Sequence, residues 1–266
     1  MAAISQLILE TEGAGLSAQV LFNGVVLSQE DMSVHHARAA RLNAWVVSGQ
    51  NTLSVRLAPL PPSPARSGGG ATPPQAPPSP GFSLRLRQVG PGEVERQLLE
   101  YAWDAASQPL PPTGGVEVLN HSLTLEAVAV WAWTRATPIP QLGQGDTQAI
   151  GALLAALHGA LASRAISDVV KLQSVQVGEQ AVAVGEDPRV FLQRYGEFLQ
   201  ERMASPDWTV LPVAWEGLRA IAMAAGRLYH VTDAQGRPPL VAKSGGSTFA
   251  VDPYVARIGG VWTICR

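Results

Sequence analysis

The candidates for moving a proton in the second half of this 266-residue chain are His158, Tyr229, His230, Asp233 and Asp252. A general base works when partial burial brings its pKa towards neutrality and when it stands within hydrogen-bond reach of a substrate. His158 shares a helical face with Leu154 and Leu161, while the other four sit near strand ends. Each also reads without chemistry. His158 fits a satisfied core histidine, Asp233 a turn former before Gly236, and Asp252 a turn former before Pro253. No acid–base pair stands out, and no catalytic residue is assigned. The balance leans away from an enzyme.

Other chemistries find less support. The five histidines show no H-E-x-x-H or H-x-H spacing, and the one cysteine, Cys265, excludes both an intramolecular disulfide and a cysteine zinc site. Neither phosphate-binding glycine motif nor a G-x-S-x-G elbow occurs. Lys243-Ser-Gly-Gly-Ser-Thr248 could form a small anion nest, but no helix follows it, and a plain hairpin turn is the favoured reading. The expectation is therefore no metal and no cofactor. Trp131 and Trp133 are two residues apart, so on a strand they face one side. They read first as sandwich core, and alternatively as an aromatic platform for a sugar or partner.

Charge narrows the partners. The net charge is −2; residues 1–138 carry 8 basic and 10 acidic side chains, and 139–266 carry 11 of each. Binding to duplex DNA or RNA needs clustered Lys and Arg, and only Lys171 and Lys243 are lysines, so no nucleic-acid partner is expected. The opening Met1–Glu10 lacks a basic region followed by a long apolar one, and no 18-residue apolar run occurs. A cytoplasmic protein without a membrane partner is expected.

These residues must be placed by elements that the patterning predicts. Residues 59–81 hold nine prolines and four glycines, which excludes helix and sheet. They read as a surface insertion, or as a polyproline ligand through the P-x-x-P spacing of Pro59–Pro62 and Pro61–Pro64. The flanks, 51–57 and 82–87, alternate with period two, which predicts a hairpin with an overgrown loop. Further strands are expected at 97–103, 116–119 and 122–134.

In the second half, Ile150, Leu153, Leu154, Leu157 and Leu161 make one helical stripe, with Asp146 as its N-cap. A short helix after Ser167 or Asp168, a strand pair at 174–184 and a helix opened by Asp187-Pro188 are predicted next. The last of these carries Val190, Phe191, Arg194, Tyr195, Phe198, Leu199 and Met203 on one face. Leu211, Val213 and Trp215 alternate as a strand, and further strands follow to Cys265. Residues 217–229 fit helix or strand alike. Gly259-Gly260 closes a hairpin between Tyr254–Ile258 and Val261–Cys265.

Two stretches resemble known families. Phe22-Asn-Gly-Val-Val26 with Leu42–Val55 resembles the core of jelly-roll and galactose-binding-like sandwiches, where an Asn-Gly turn joins two strands and a G-x-N-x-L-x-V segment enters the core. In the second half, the helix Ala149–Ala162 and the closing hairpin Tyr254–Cys265 resemble the cystatin-like α+β roll of the NTF2-like superfamily. That resemblance implies a pocket on a curved sheet, for which His158, Tyr229, His230 and Asp252 are the candidate lining. The helix at 190–203 between strands departs from the superfamily's simplest order.

The expected architecture is α+β: an N-terminal antiparallel β-sandwich at 1–138, carrying the 59–81 insertion, and a C-terminal roll at 139–266 with helices packed on a curved antiparallel sheet. The expected function is a non-catalytic binding or accessory protein, an adaptor or immunity-type inhibitor with a protein partner. The alternatives are a small-molecule binder or enzyme using the roll's pocket, and carbohydrate binding through Trp131 and Trp133.

Overall fold

The structure is a computed structural model describing residues 4–60, 79–92, 94–111 and 113–266. The class is α+β, and the chain divides into two compact units, Ala3–Glu126 and Ala127–Arg266.

The first unit is built of eight strands: β1 (Gln6–Ala14), β2 (Leu16–Phe22), β3 (Val25–Met32), β4 (His36–Arg41), β5 (Gly49–Pro59), β6 (Gly81–Val89), β7 (Glu95–Asp104) and β8 (Val116–Leu125). They form two antiparallel sheets, ordered β4-β1-β6-β7 and β3-β2-β5-β8. Mapping β1–β4 onto β5–β8 exchanges the two sheets, so the topology carries an internal two-fold relation. Strict alternation makes the core: Leu16, Ala18, Val20 and Phe22 on β2 and Leu53, Val55 and Leu57 on β5 are all buried. Asn23 and Gly24, both at positive φ, close the β2–β3 hairpin as the Asn-Gly pair predicts. Gly49 takes φ +98, and buried Asn51 bonds Val47 N, Val47 O, Gly49 O and Asn23 Nδ2, which knits the turn to the hairpin.

One expectation fails here. β5 and β6 do not pair with each other: β5 lies between β2 and β8, and β6 between β1 and β7. The insertion thus joins opposite sheets. Alternation shows which face of a strand is buried, but not which strand lies beside it. The polyproline ligand reading falls on residues that, from 61 to 78, lie outside the described set.

The second unit opens with helices α1 (Gln144–Ala162), α2 (Ile166–Leu172), α3 (Ser174–Val184) and α4 (Pro188–Ala204). Strands β9 (Thr209–Val210), β10 (Arg219–Met223), β11 (Leu228–Thr232), β12 (Leu240–Ser244), β13 (Ser247–Val251), β14 (Tyr254–Ile258) and β15 (Val261–Ile264) follow. They form antiparallel sheets ordered β10-β11-β14-β15 and β13-β12-β9. Ile150, Leu154, Leu157 and Leu161 of α1, with Leu199 and Met203 of α4, pack on Tyr229, Val231, Val255 and Ile264 in one core. No helix among the described residues is long and apolar enough to cross a membrane.

Several local expectations are corrected in this unit. The 174–184 strand pair is helix α3, with Val177, Ala181 and Ala183 buried and Gly185 at φ +80 ending it. Its valines favour strands, but packing against α4 overrides that weak propensity. Asp146 is not the N-cap of α1: it stands at the third helical position and accepts from Gly143 N at 3.2 Å. Asp187 does cap α4, accepting from Arg189 N at 2.8 Å. The face expected on α4 splits, with Leu199 and Met203 buried but Val190 and Phe198 exposed. Pro212 interrupts the expected 211–215 strand, and Trp215 lies in a 3-10 turn, Trp215–Gly217.

The boundary lies twelve residues before the expected one, because 127–138 belongs to the second unit. Strand β8 stops at Leu125, and Trp131, Trp133 and Ala136 are buried beyond it. Arg227 donates to the carbonyls of Thr134 and Ala136, anchoring that segment beside the β10–β11 hairpin. Three successive residues of the hairpin turn are left-handed: Ala224, Ala225 and Gly226 have φ of +49, +55 and +77.

Candidate functional site

A groove of about 670 Å³ opens between α1 and the β10–β11 edge of the second unit. Helix α1 supplies its floor through Gly151, Ala152 and Ala155, whose small side chains leave the space open. Ala220 and Val231 line it from the sheet, and Trp215 and Leu218 from the segment between β9 and β10. The Trp215 indole is 40% exposed. Its ring meets the His158 ring edge-on, with centroids 5.7 Å apart. His158 Nε2 lies 3.1 Å from the Leu211 carbonyl, which can only accept, so this nitrogen carries the proton. His158 thereby positions Trp215 and Leu211 without lining the groove.

The four pocket candidates do not converge. Tyr229 is buried on the core side of β11, where its hydroxyl donates to the Ile139 carbonyl and its ring meets Trp262. Burial, and then the Asp146 carboxylate, push its pKa up, so the phenol stays protonated. Next along the strand, His230 points to the opposite face, because successive side chains alternate. There its Nε2 meets Asp252 Oδ1 at 2.6 Å, and its ring stacks on Tyr254 with centroids 4.3 Å apart. His158, Tyr229 and the His230–Asp252 pair therefore occupy three environments, and none lines the groove. Asp233 is a turn residue: it accepts from the backbone N–H groups of Gln235 and Arg237, which with the Arg237 guanidinium hold its carboxyl below the usual range.

Trp131 and Trp133 form no platform. They lie in and beside a 3-10 turn instead of on a strand, and are 1% and 3% exposed. The Arg266 guanidinium sits 5.0 Å from the Trp131 ring centroid and pairs with Glu179 of α3. The same carboxylate accepts from Ala132 N at 2.5 Å, so one acidic side chain joins α3, the 131–135 turn and the end of the chain. Burial beside Glu179 pushes the Cys265 thiol up to about 12, far from nucleophilic use at neutral pH. Among the described residues no three His, Cys, Asp or Glu side chains gather as a metal site.

Sequence reasoning expected a pocket in this unit but missed its lining, including the Trp215, Glu216 and Leu218 wall. The only local signal was Pro212, which breaks the 211–215 alternation and frees Trp215 from a strand. The chain matches no protein-family model, no curated protein and no solved structure.

Proposed function

We propose that this is a non-catalytic binding protein whose second unit holds a small, largely apolar molecule in the groove between α1 and Trp215. The observation that carries the reading is the groove itself. Its volume of about 670 Å³ falls within the range of small-molecule sites, and its walls are mostly aliphatic with one exposed indole. No titratable pair lies in it, which supports binding over catalysis. An α1-to-sheet groove is also what the NTF2-like resemblance leads one to expect, and we read the second unit as a roll of that kind. A cytoplasmic setting suits a chain whose one cysteine is a buried free thiol.

The test is ligand-observed NMR with a library of small apolar and aromatic compounds, on wild type and on Gly151→Leu. A Cβ at Gly151 meets nothing within 4 Å, and leucine favours helix over glycine, so this variant keeps the fold while filling the groove. Binders lost in Gly151→Leu support the reading, and a library without binders defeats it.

A protein partner is the second reading, carried by α4, where Val190 and Phe198 are exposed on one helix. A partner captured by wild type and lost with Phe198→Glu would favour it. A partner captured equally by both would remove α4 from consideration.

A further inference from the structure

The groove has a charge asymmetry that bears on what it selects. Of the residues lining it, only Glu216 is ionisable. Besides the Trp215 indole N–H, the remaining polar end is that of Thr147, whose hydroxyl already donates to the Gly143 carbonyl at 3.1 Å. Among the described residues Glu216 has no ion-pair partner, although eleven other acidic–basic contacts occur in the protein. Its neighbour in the same 3-10 turn is Trp215, the one aromatic side chain in the wall.

Glu216 is exposed and follows Trp215 directly in the chain, and a carboxylate and an exposed indole in the lining of an aliphatic groove are the chemistry that recognises an organic cation. The indole face attracts positive charge through its quadrupole, and the carboxylate adds a direct Coulombic term. Glu216, the one charged group in the lining, would repel an anionic ligand. Resting on the reading of this groove as a binding site, we infer that it selects small amphiphilic amines, with the apolar body over Gly151, Ala155 and Val231 and the ammonium between Glu216 and Trp215. Arginine and lysine are absent from the lining, so nothing on the groove competes with the ligand for the carboxylate.

The experiment is calorimetric titration of the full chain at low salt with three probes of one shape: 4-phenylbutylamine, 4-phenylbutan-1-ol and 4-phenylbutanoate. The expected order is ammonium, then alcohol, then carboxylate, with the ammonium about tenfold tighter than the alcohol, a factor within the reach of a partly exposed cation–π and carboxylate contact. Glu216→Gln is expected to bring that ratio to about twofold or less while the alcohol's Kd stays unchanged. Trp215→Ala is expected to weaken all three. The inference is overturned if wild type binds alcohol and ammonium equally, or if the preference survives Glu216→Gln. Those results leave the groove standing as an apolar site. If no probe binds wild type, or if Gly151→Leu binds the probes as well as wild type does, the groove reading itself falls and the inference with it.

Discussion

Replacing Glu179 with alanine removes the acceptor shared by the Arg266 guanidinium and the Ala132 N–H. The Arg266 and Glu179 side chains are 7% and 16% exposed, so little water can enter to replace the carboxylate. Desolvation is the leading influence on Arg266 and lowers its pKa, while Glu179 opposes that shift by favouring the charged form. Breaking one partner of a buried pair costs about 3–5 kcal/mol, because the remaining buried charge loses its counter-charge. The residual exposure of Glu179 and the cation–π contact with Trp131 place the expected loss near the lower end, at about 3 kcal/mol. That is a large fraction of a domain's total stability of about 5–15 kcal/mol. Hydrogen exchange read by mass spectrometry separates the two units and gives the local loss. Protection is expected to fall in peptides covering α3 and 131–136, and to hold in those covering β2 and β5. Glu179→Gln keeps an acceptor for Ala132 N but loses the charge, and should cost roughly half as much. The double variant Glu179→Gln with Arg266→Met should cost less than the sum of its singles, since no buried charge remains. If Glu179→Ala costs under about 1 kcal/mol and the double variant is additive, the cluster behaves as a solvated surface pair and the burial argument is wrong.

Other expectations concern backbone geometry and pH. A Cβ at Gly226 would lie 2.6 Å from the Ile139 carbonyl oxygen at a φ of +77, so Gly226→Ala should lower unfolding free energy by about 2 kcal/mol or more in denaturant titrations. Ala225→Gly, at φ +55, should raise it by about 0.5–1 kcal/mol, the relief of left-handed strain less the entropy of glycine; no gain would contradict the geometry of that turn. Asn51→Ala should cost the first unit about 2–3 kcal/mol, since Val47 and Asn23 lose a buried partner, and the loss should appear in exchange of the β2–β3 peptides. The Cys265 pKa is raised in the folded state, so its contribution is fully present below the unfolded thiol pKa near 8.5 and fades as pH rises towards 12. Native protein at pH 8 should therefore resist a thiol reagent that labels it at once in denaturant, and fast native labelling would show that the thiol is not buried.

Local signals were readable wherever a few neighbouring residues suffice to decide the geometry. The Asn23-Gly24 and Gly259-Gly260 turns, the Asp187-Pro188 start of α4 and the buried stripe of α1 depend on backbone sterics, capping and a 3.6-residue period. The α+β class follows from the same periodicities, read over longer windows. Four features were not readable: the separation of β5 from β6, the helical state of 174–184, the placement of Trp131 and Trp133 in a turn instead of on a strand, and the residues that line the groove. Each depends on which distant segment lies alongside. Alternation states that one face of β5 is buried without naming its neighbours, and the valines of α3 suit a strand until α4 packs against them. Trp215 and Glu216 form a wall only because α1, about sixty positions earlier, presents glycine and alanine opposite them. Residue order sets local conformational preference; the contacts that close a core or open a groove join segments far apart in the chain, and only folding brings those together.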